Sequence, residues 1–401
     1  MVRAEHLKPM FDDGMSFGCR LLLCDLLGDV HPSVRLGETY DYGNFYLLPD
    51  PATLVALPWA PGTGLILADP YLSNGRPAIS SRLVLKQAIE AAGQVDLKLI
   101  IGIEVESSIF PLREVPEISE RRHLFTALGQ GLAAPVLTPL WDTLEQMNIG
   151  LDAFANEFAA GEIEFNLSPR PALQAVDEFV LLKLAAREML RMEGYDITFM
   201  AMFDSQHQGM TSGLHLHQSG INAEGCSVFF DPETEHGLSQ TLLHYLGGQL
   251  SQARHLAAFS TPTITGYKRY RPGTWAPTSV TWSLDNRTTM LRVMPDRGQA
   301  TRVENRLPDS AANPYLALAA MIVAGVEGIR GEIDPGPPAT GDAATTQVAL
   351  PRNLWEALQC LEEPSAITAF LGTDFTTAYR GLLLQTADRF EAHVTDWEIA
   401  E

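Results

Sequence analysis

Four short stretches of this 401-residue chain place ionisable side chains two positions apart, with an apolar residue in every gap but that of Asn305. They are Glu104 and Glu106 in IGIEVESS, Glu162 and Glu164 in GEIEFNL, His215 and His217 in GLHLHQS, and Arg302, Glu304 and Arg306 in RVENR. A period of two puts each set on one face of a β-strand and turns the intervening residues to the other face. Leu214, Leu216, Ile163 and Phe165 are then the core-facing partners. One such pair is an ordinary solvated strand face; four in one chain suggest a site.

Carboxylates sharing a buried face repel, and burial raises their pKa values. A divalent cation resolves that conflict, and carboxylates with an imidazole suit Mg²⁺ or Mn²⁺ better than zinc. Arginines in the same set are natural clamps for phosphate or carboxylate oxygens. Carboxylate-held cations facing several arginines are the signature of phosphoryl transfer. The chain has no GxxxxGK[ST] motif, so any ATP would be held by strand side chains rather than by a glycine-rich cradle.

These strands need a scaffold large enough to bury their backs. Residues 1–78 carry short apolar runs broken by Gly, Pro and Asp, which predicts a small β-rich domain, with a larger domain over 79–401. Helices are expected at 81–93, at 172–194 ending on Gly194, near 313–330 and near 352–372, with a Pro/Gly/Ala/Thr loop at 334–347. Hydrophobic content of 46% and charged content of 19% suit a folded chain. The formal charge of −21 argues against nucleic acid or an anionic membrane as partner. Four scattered cysteines without a CxxC pair read as reduced thiols, and MVRAEHLKPMFDDG lacks an apolar signal core. The expectation is a soluble, cytoplasmic protein with no membrane span.

The motifs GIEVE (102–106), Glu157 with GEIE to 164, GLHLHQS, YKRYRPGTWAP, NRTTMLR (286–292) and RVENRLPDSAANPYLALAAMIVAGVEGI resemble, in this order, the glutamine synthetase superfamily over about residues 80–398. The resemblance implies an α+β fold: a β-grasp-like N-terminal domain, then a catalytic domain with a curved antiparallel sheet flanked by helices. It implies a ring-shaped homo-oligomer with active sites between subunits. It also implies a two-step ligase reaction, in which ATP phosphorylates the side-chain carboxylate of glutamate and a nitrogen nucleophile displaces the phosphate. By the same resemblance one metal would be held by Glu106, Glu157 and Glu164, and a second by Glu104, His215 and Glu304. His217, Ser219, Arg292, Arg302 and Asp152 match nucleotide-binding positions. Arg287 matches the arginine at the transferring phosphoryl group, and Arg269 and Arg306 match those that hold the acid substrate and acyl phosphate.

The departures from the family pattern fall on the nucleophile's side. The family keeps a Glu in the loop that reads RPGTWAP here, where it takes a proton from ammonium; this chain has Trp275. Indole has a donor N–H and no basic lone pair, so it cannot be that base. Outside its family context, a loop Trp is most simply a cap on the core. The family's DGSS segment has no match between Gly28 and Asp50, FMPKP becomes FMAMF (199–203), Met210 stands in place of an Asn that holds glutamate's amino group, and Glu162 replaces a Gln. These changes point to an organic amine, which an indole face can attract, joined to glutamate or a similar acid. Ammonia-using glutamine synthetase and a non-catalytic nucleotide- or amine-binding relative are the alternatives. The 334–351 loop lacks the tyrosine motif adenylylated in regulated relatives, so no such control is expected.

Overall fold

Strand Lys98–Pro111 sets the architecture. Its odd-numbered residues from Leu99 to Ile109 are buried and its even-numbered residues are partly open, so one face of the strand belongs to the core and the other to a site. Burying Ile101, Ile103, Val105 and Ile109, each 2% exposed or less, contributes about 2 kcal/mol apiece. The computed structural model describes residues 7–115, 117–118, 130–203, 211–271, 273–345 and 349–401. Met210 lies outside them.

In chain order the strands are β1 (Met15–Gly18), β2 (Asn44–Pro49), β3 (Val55–Ala56), β4 (Gly64–Leu65), β5 (Ala68–Leu72), β6 (Lys98–Pro111), β7 (Leu151–Asn156), β8 (Glu162–Pro171), β9 (Tyr195–Thr198), β10 (Leu214–Ile221), β11 (Trp282–Leu284), β12 (Leu291–Val293) and β13 (Val303–Asn305). β1, β2 and β5 form a small antiparallel sheet, and β3 and β4 a two-stranded ribbon. The large sheet runs β11-β12-β13-β10-β6-β8-β7, with β9 also paired to β6. It is antiparallel except at its edge, where β11 and β12 run parallel, so the expected all-antiparallel sheet is corrected there.

Helices Ser81–Gly93 and Ala172–Glu193 pack behind this sheet, and Pro314–Arg330 packs against both. Ser80 and Asn313 cap the first and last of these helices through their side chains, and Pro314 opens the last with a φ already suited to it. Gly194 ends the middle helix in the left-handed region at φ 92°. The helix expected over 352–372 is instead two, Leu354–Cys360 and Ala366–Glu391. Ser365 opens the second with a capping box just after Pro364, which cannot continue a helix.

The small sheet has its own cluster of buried residues, including Cys19, Val34, Tyr40, Phe45 and Leu72, closed by Ala78 and by Ala378 of the last long helix. A buried charge cluster ties this part of the chain to the helices behind the site. The Arg82 guanidinium donates to Asp69 at 2.9 Å, to Asp50 at 2.8 Å and to Asp177 at 2.8 Å. Tyr315 donates to Asp177 at 2.6 Å and Lys86 adds a bond to Asp69 at 2.5 Å. Burial alone would favour neutral Arg82, but the three carboxylates push its pKa upward. All four cysteines are free thiols. Among the described residues, no helix is long and apolar enough to cross a membrane.

Removing one member of a buried ion cluster leaves charges without partners. Arg82→Ala should lower the unfolding free energy in urea by about 3–5 kcal/mol. A loss below about 1 kcal/mol would place the cluster among ordinary surface ion pairs.

Candidate active site

The four stretches with two-residue spacing become neighbours in one sheet: β13, β10, β6 and β8 are adjacent. Strand register then sets the rows. Arg292 lies opposite Glu304, Glu304 opposite His217, His215 opposite Glu104, and Glu106 opposite Glu164. Their alternates Leu214, Leu216, Ile163 and Phe165 are fully buried on the other face, as the spacing predicts.

The result is an acidic band. Glu104 Oε1 lies 3.0 Å from His217 Nε2, and its Oε2 lies 3.6 Å from His215 Nδ1. Neither ring nitrogen of His217 makes an aligned hydrogen bond among the described residues, so the short contact to Glu104 is one of charge and proximity. Burial would raise Glu104, but the two imidazoles hold its carboxyl well below the ordinary range. On the other side of β6 the acids outnumber the cations near them among the described residues. Burial, then Glu106, Glu164 and Glu162, push Glu157 up to about 8, with Arg287 opposing. Burial and Glu106 push Glu162 up to about 7, and burial with Glu104 raises Glu164.

Those carboxylates suit a divalent cation. Glu104, His217 and Glu304 offer ligand atoms within 4.8 Å of one another, as do Glu104, Glu164 and His215. The fit is carried by buried acids that stay protonated without a counter-charge. This grouping cuts across the two trios expected from the sequence. His217, expected at the nucleotide, falls with Glu104 and Glu304, while His215 Nδ1 stands 3.6 Å from both Glu104 and Glu304.

Several neighbours place these ligands. The backbone N–H of Gly213 donates to Glu106 Oε2 at 2.5 Å, and Glu106 N donates back to Gly213 O at 3.0 Å. A Cβ on Gly213 would sit 2.9 Å from both Arg269 Nη2 and His215 Nε2, so only glycine fits this crossing. Glu162 Oε2 accepts from Ala159 N at 3.1 Å inside the turn that presents Glu157. This acid is thus close enough to Glu106 to be raised by it and is also pinned to its own turn. A glutamine oxygen could accept the same bond.

A cleft of about 210 Å³ opens beside Glu104. It is lined by four of the five residues expected at the nucleotide, Asp152, His217, Ser219 and Arg302, with Ile100 and Leu167 as apolar wall. Asp152 accepts from Ser168, and Arg302 donates to Asp296 at 2.9 Å. Arg292 is placed differently. It is buried between Asp285, at 2.5 Å, and Glu304, at 3.1 Å, and does not line the cleft.

The arginines gather at the other end of the band. Glu304 is fully buried and bonded by both Arg292 and Arg306; burial would raise its pKa, but Arg306, then His215 and His217, hold it down. Arg306 also reaches the carbonyl of Trp275 at 3.5 Å. Arg269, 2% exposed, donates to Pro308 O at 3.2 Å. The Nε groups of Arg269 and Arg306 have no partner among the described residues, which suits an incoming anion. Arg287 is exposed and acts on Glu157 through space.

Trp275 does not cap the core. It is 57% exposed, with φ at +59°, in a loop turned by Gly273 at φ +86°. A non-glycine residue in this region is uncommon and marks a constrained loop. Two features escaped the sequence reading: the Asp285 partner of Arg292, and the buried amides behind β10. Gln218, Gln249, Asn305 and Tyr245 bond one another there, joining β10 to β13 beneath His217. Gln218 in LHLHQS could have been read as core-facing from its even position beside Leu214 and Leu216.

Comparison with known proteins adds the following. The family profile described as glutamine synthetase, catalytic domain, matches residues 78–401. The chain is 32% identical over 370 residues to gamma-glutamylethanolamide synthetase GlnA4 of Streptomyces coelicolor, covering 89% of this chain and 79% of that protein. It is 31% identical over 418 residues to a glutamine synthetase of Methanosarcina mazei, covering 100% and 90% of the two chains. It is 31% identical over 425 residues to glutamate–methylamine ligase of Methyloversatilis universalis, covering 99% and 91%. Among solved structures, a GmaS/ADP complex superposes with a TM-score of 0.86 at 29% identity, covering 99% of this chain and 91% of that one.

The raised acids give a pH prediction. Without metal, Glu157 and Glu162 hold protons in the folded chain up to about pH 8 and 7, but lose them near the ordinary carboxyl value when unfolded. Their contribution to stability is present below that value and is lost as pH rises through the folded values. Chelator-treated protein should therefore melt at falling temperature from pH 5 to pH 8, and added Mn²⁺ should raise the melting temperature more at pH 8 than at pH 6. A Mn²⁺ effect independent of pH would contradict this electrostatic picture.

Proposed function

We propose that this chain, which belongs to the glutamine synthetase family and is an ATP-dependent carbon–nitrogen ligase, joins glutamate or a similar acid to an organic amine rather than to ammonia. The observation that carries this reading is the lid loop. Trp275, whose indole is exposed and whose backbone carbonyl meets Arg306, stands where ammonia-using relatives keep a carboxylate. Asp50, which closes the segment without a DGSS match, is engaged by Arg82 and Lys86 and is not a free base. Identity does not decide the matter, because glutamine synthetases and ligases named for ethanolamide, isopropylamine and methylamine match at 30–32%.

In this reading the cleft of Asp152, Ser219 and Arg302 takes the nucleotide, with His217 at its border with the acidic band. A divalent cation, Mg²⁺ or Mn²⁺ and two or more per site, would supply charge neutralisation for the phosphate oxygens at Glu104, Glu106, Glu157, Glu164, His215 and Glu304. Arg269 and Arg306 orient the acid with their unpaired N–H groups. An oxygen of the acid's side-chain carboxylate attacks the γ-phosphorus, and ADP departs with the bonding pair. Arg287 faces the developing charge on the transferring group. The amine nitrogen then attacks the acyl carbon, phosphate leaves with the C–O pair, and the amine proton passes to a base or to water. Arg292 holds Glu304 in place from its other side.

The open face of β6 also favours a substituted amine. Past Glu106 it continues through Ser108 to Phe110, which stacks on Phe203 with ring centroids 4.8 Å apart. An apolar wall of this kind packs against an organic substituent, which ammonium lacks. The proposed assembly is a ring-shaped homo-oligomer, with the site between subunits.

Phosphate release with L-glutamate, ATP and Mg²⁺ should be fastest with one of a panel of ethanolamine, polyamines, alkylamines and anilines. Fastest turnover with ammonium would overturn the proposal in favour of glutamine synthetase proper, and nucleotide binding without turnover on any acid–amine pair would favour a non-catalytic relative. Trp275→Glu should move preference toward small amines; an unchanged profile would remove the indole from amine selection.

A further inference from the structure

We propose that Lys183, on the helix behind the sheet, is a positioning residue for the acid-substrate corner, acting through Ser310 on Glu106 and through Asp309 on Arg269. The inference rests on the reading above in which Arg269 holds the acid. Lys183 is a half-buried cation that the site chemistry leaves unused. Its ammonium lies 4.6 Å from the centroid of Phe199 and 5.2 Å from that of Phe179, and it donates to Ser310 O at 3.1 Å. Holding a desolvated ammonium against two rings is costly unless it has a defined target.

That target is a strap, residues 307–310, clamped from several sides. Leu214 N donates to Pro308 O at 3.0 Å and Ser310 N donates to Ser212 O at 3.2 Å. The Ser310 hydroxyl bridges Glu106 O at 2.6 Å and Gly213 O at 2.7 Å. These are the two residues whose reciprocal bonds fix the Glu106 carboxylate. Arg269 donates to Pro308 O on the same strap. The strap thus carries both an anion-binding guanidinium and a ligand carboxylate, and Lys183 grips it from behind.

Asp309 completes the argument. It is fully buried, its Oδ1 accepts from Ala311 N at 2.8 Å, and its Oδ2 has no hydrogen-bond partner among the described residues. It lies against Gly266, where a Cβ would come within 2.1 Å of Oδ2. Burial pushes it up to about 6, with Arg269 and Lys183 opposing; burial pushes Lys183 down to about 8, with Asp309 opposing and Arg187 adding to the fall. On the strap Asp309 stands between Pro308, whose carbonyl Arg269 engages, and Ser310, whose carbonyl Lys183 engages, and so couples the two cations: loss of the lysine charge leaves Asp309 to draw on Arg269 alone, and that guanidinium shifts from its substrate-facing position.

The test compares L-glutamate binding with ADP binding by calorimetry in the presence of Mn²⁺. Lys183→Met keeps the apolar stem between the rings and removes the charge. It should weaken L-glutamate about tenfold, the size of one lost charge-assisted hydrogen bond, while ADP stays within about twofold. Lys183→Arg should recover most of the L-glutamate affinity. Arg269→Ala serves as the control for the underlying reading. If Arg269→Ala weakens L-glutamate and Lys183→Met does not, the inference is wrong and the acid site stands. If Arg269→Ala has no effect, the acid reading fails and takes the inference with it. Equal losses of L-glutamate and ADP affinity, or a failure of both lysine variants to fold, would make Lys183 a stability residue and overturn the proposal.

Discussion

Too many carboxylates share one face of a sheet, and the rest of the molecule is arranged around that conflict. Glu104, Glu106, Glu157, Glu162 and Glu164 converge where water is largely excluded, and three of them are forced upward in pKa. The fold supplies counter-charge on one flank only, through His215, His217 and the pair of arginines on Glu304. On the other flank, among the described residues, Arg287 is the cation that opposes the rise of Glu157. A band so unbalanced costs stability until a cation joins it, which is how binding and catalysis become the same electrostatic event.

Register turns this chemistry into geometry. A one-residue slip between β6 and β10 would turn the histidines into the core and Leu214 and Leu216 into the site, so the packing that buries those leucines also aims the imidazoles. The polar network of Gln218, Gln249 and Asn305 holds that register from behind. Gly213 allows Arg269, His215 and Glu106 to meet at one crossing. A backbone N–H fixes Glu106, and two guanidiniums fix Glu304.

Much of this was legible in the sequence because a two-residue period is unambiguous when apolar residues fill the gaps. The spacing of Glu104 and Glu106, or of His215 and His217, predicted both strand and face. Spacing says nothing about which strands adjoin, and the division of ligands into two trios came from resemblance; the structure brings His217 beside Glu104 and Glu304 and keeps His215 3.6 Å from both. Long-range charge partners were equally invisible. Arg82 meets an aspartate 95 positions away, and neither residue stands out in its own segment. Trp275 shows the reverse case. Its loop setting was plain from the flanking Pro and Gly, but whether the indole turned inward depended on a backbone angle that composition does not encode.

The same unbalanced band gives the account its clearest exposure to experiment. Crystals grown with Mn²⁺ and ADP should show anomalous scattering centred among the Glu104, Glu106, Glu157, Glu164, His215 and Glu304 side chains, with ADP in the cleft lined by Ser219 and Arg302. Absence of an anomalous peak among those carboxylates at saturating Mn²⁺, with ADP bound in that cleft, would contradict the account at its root.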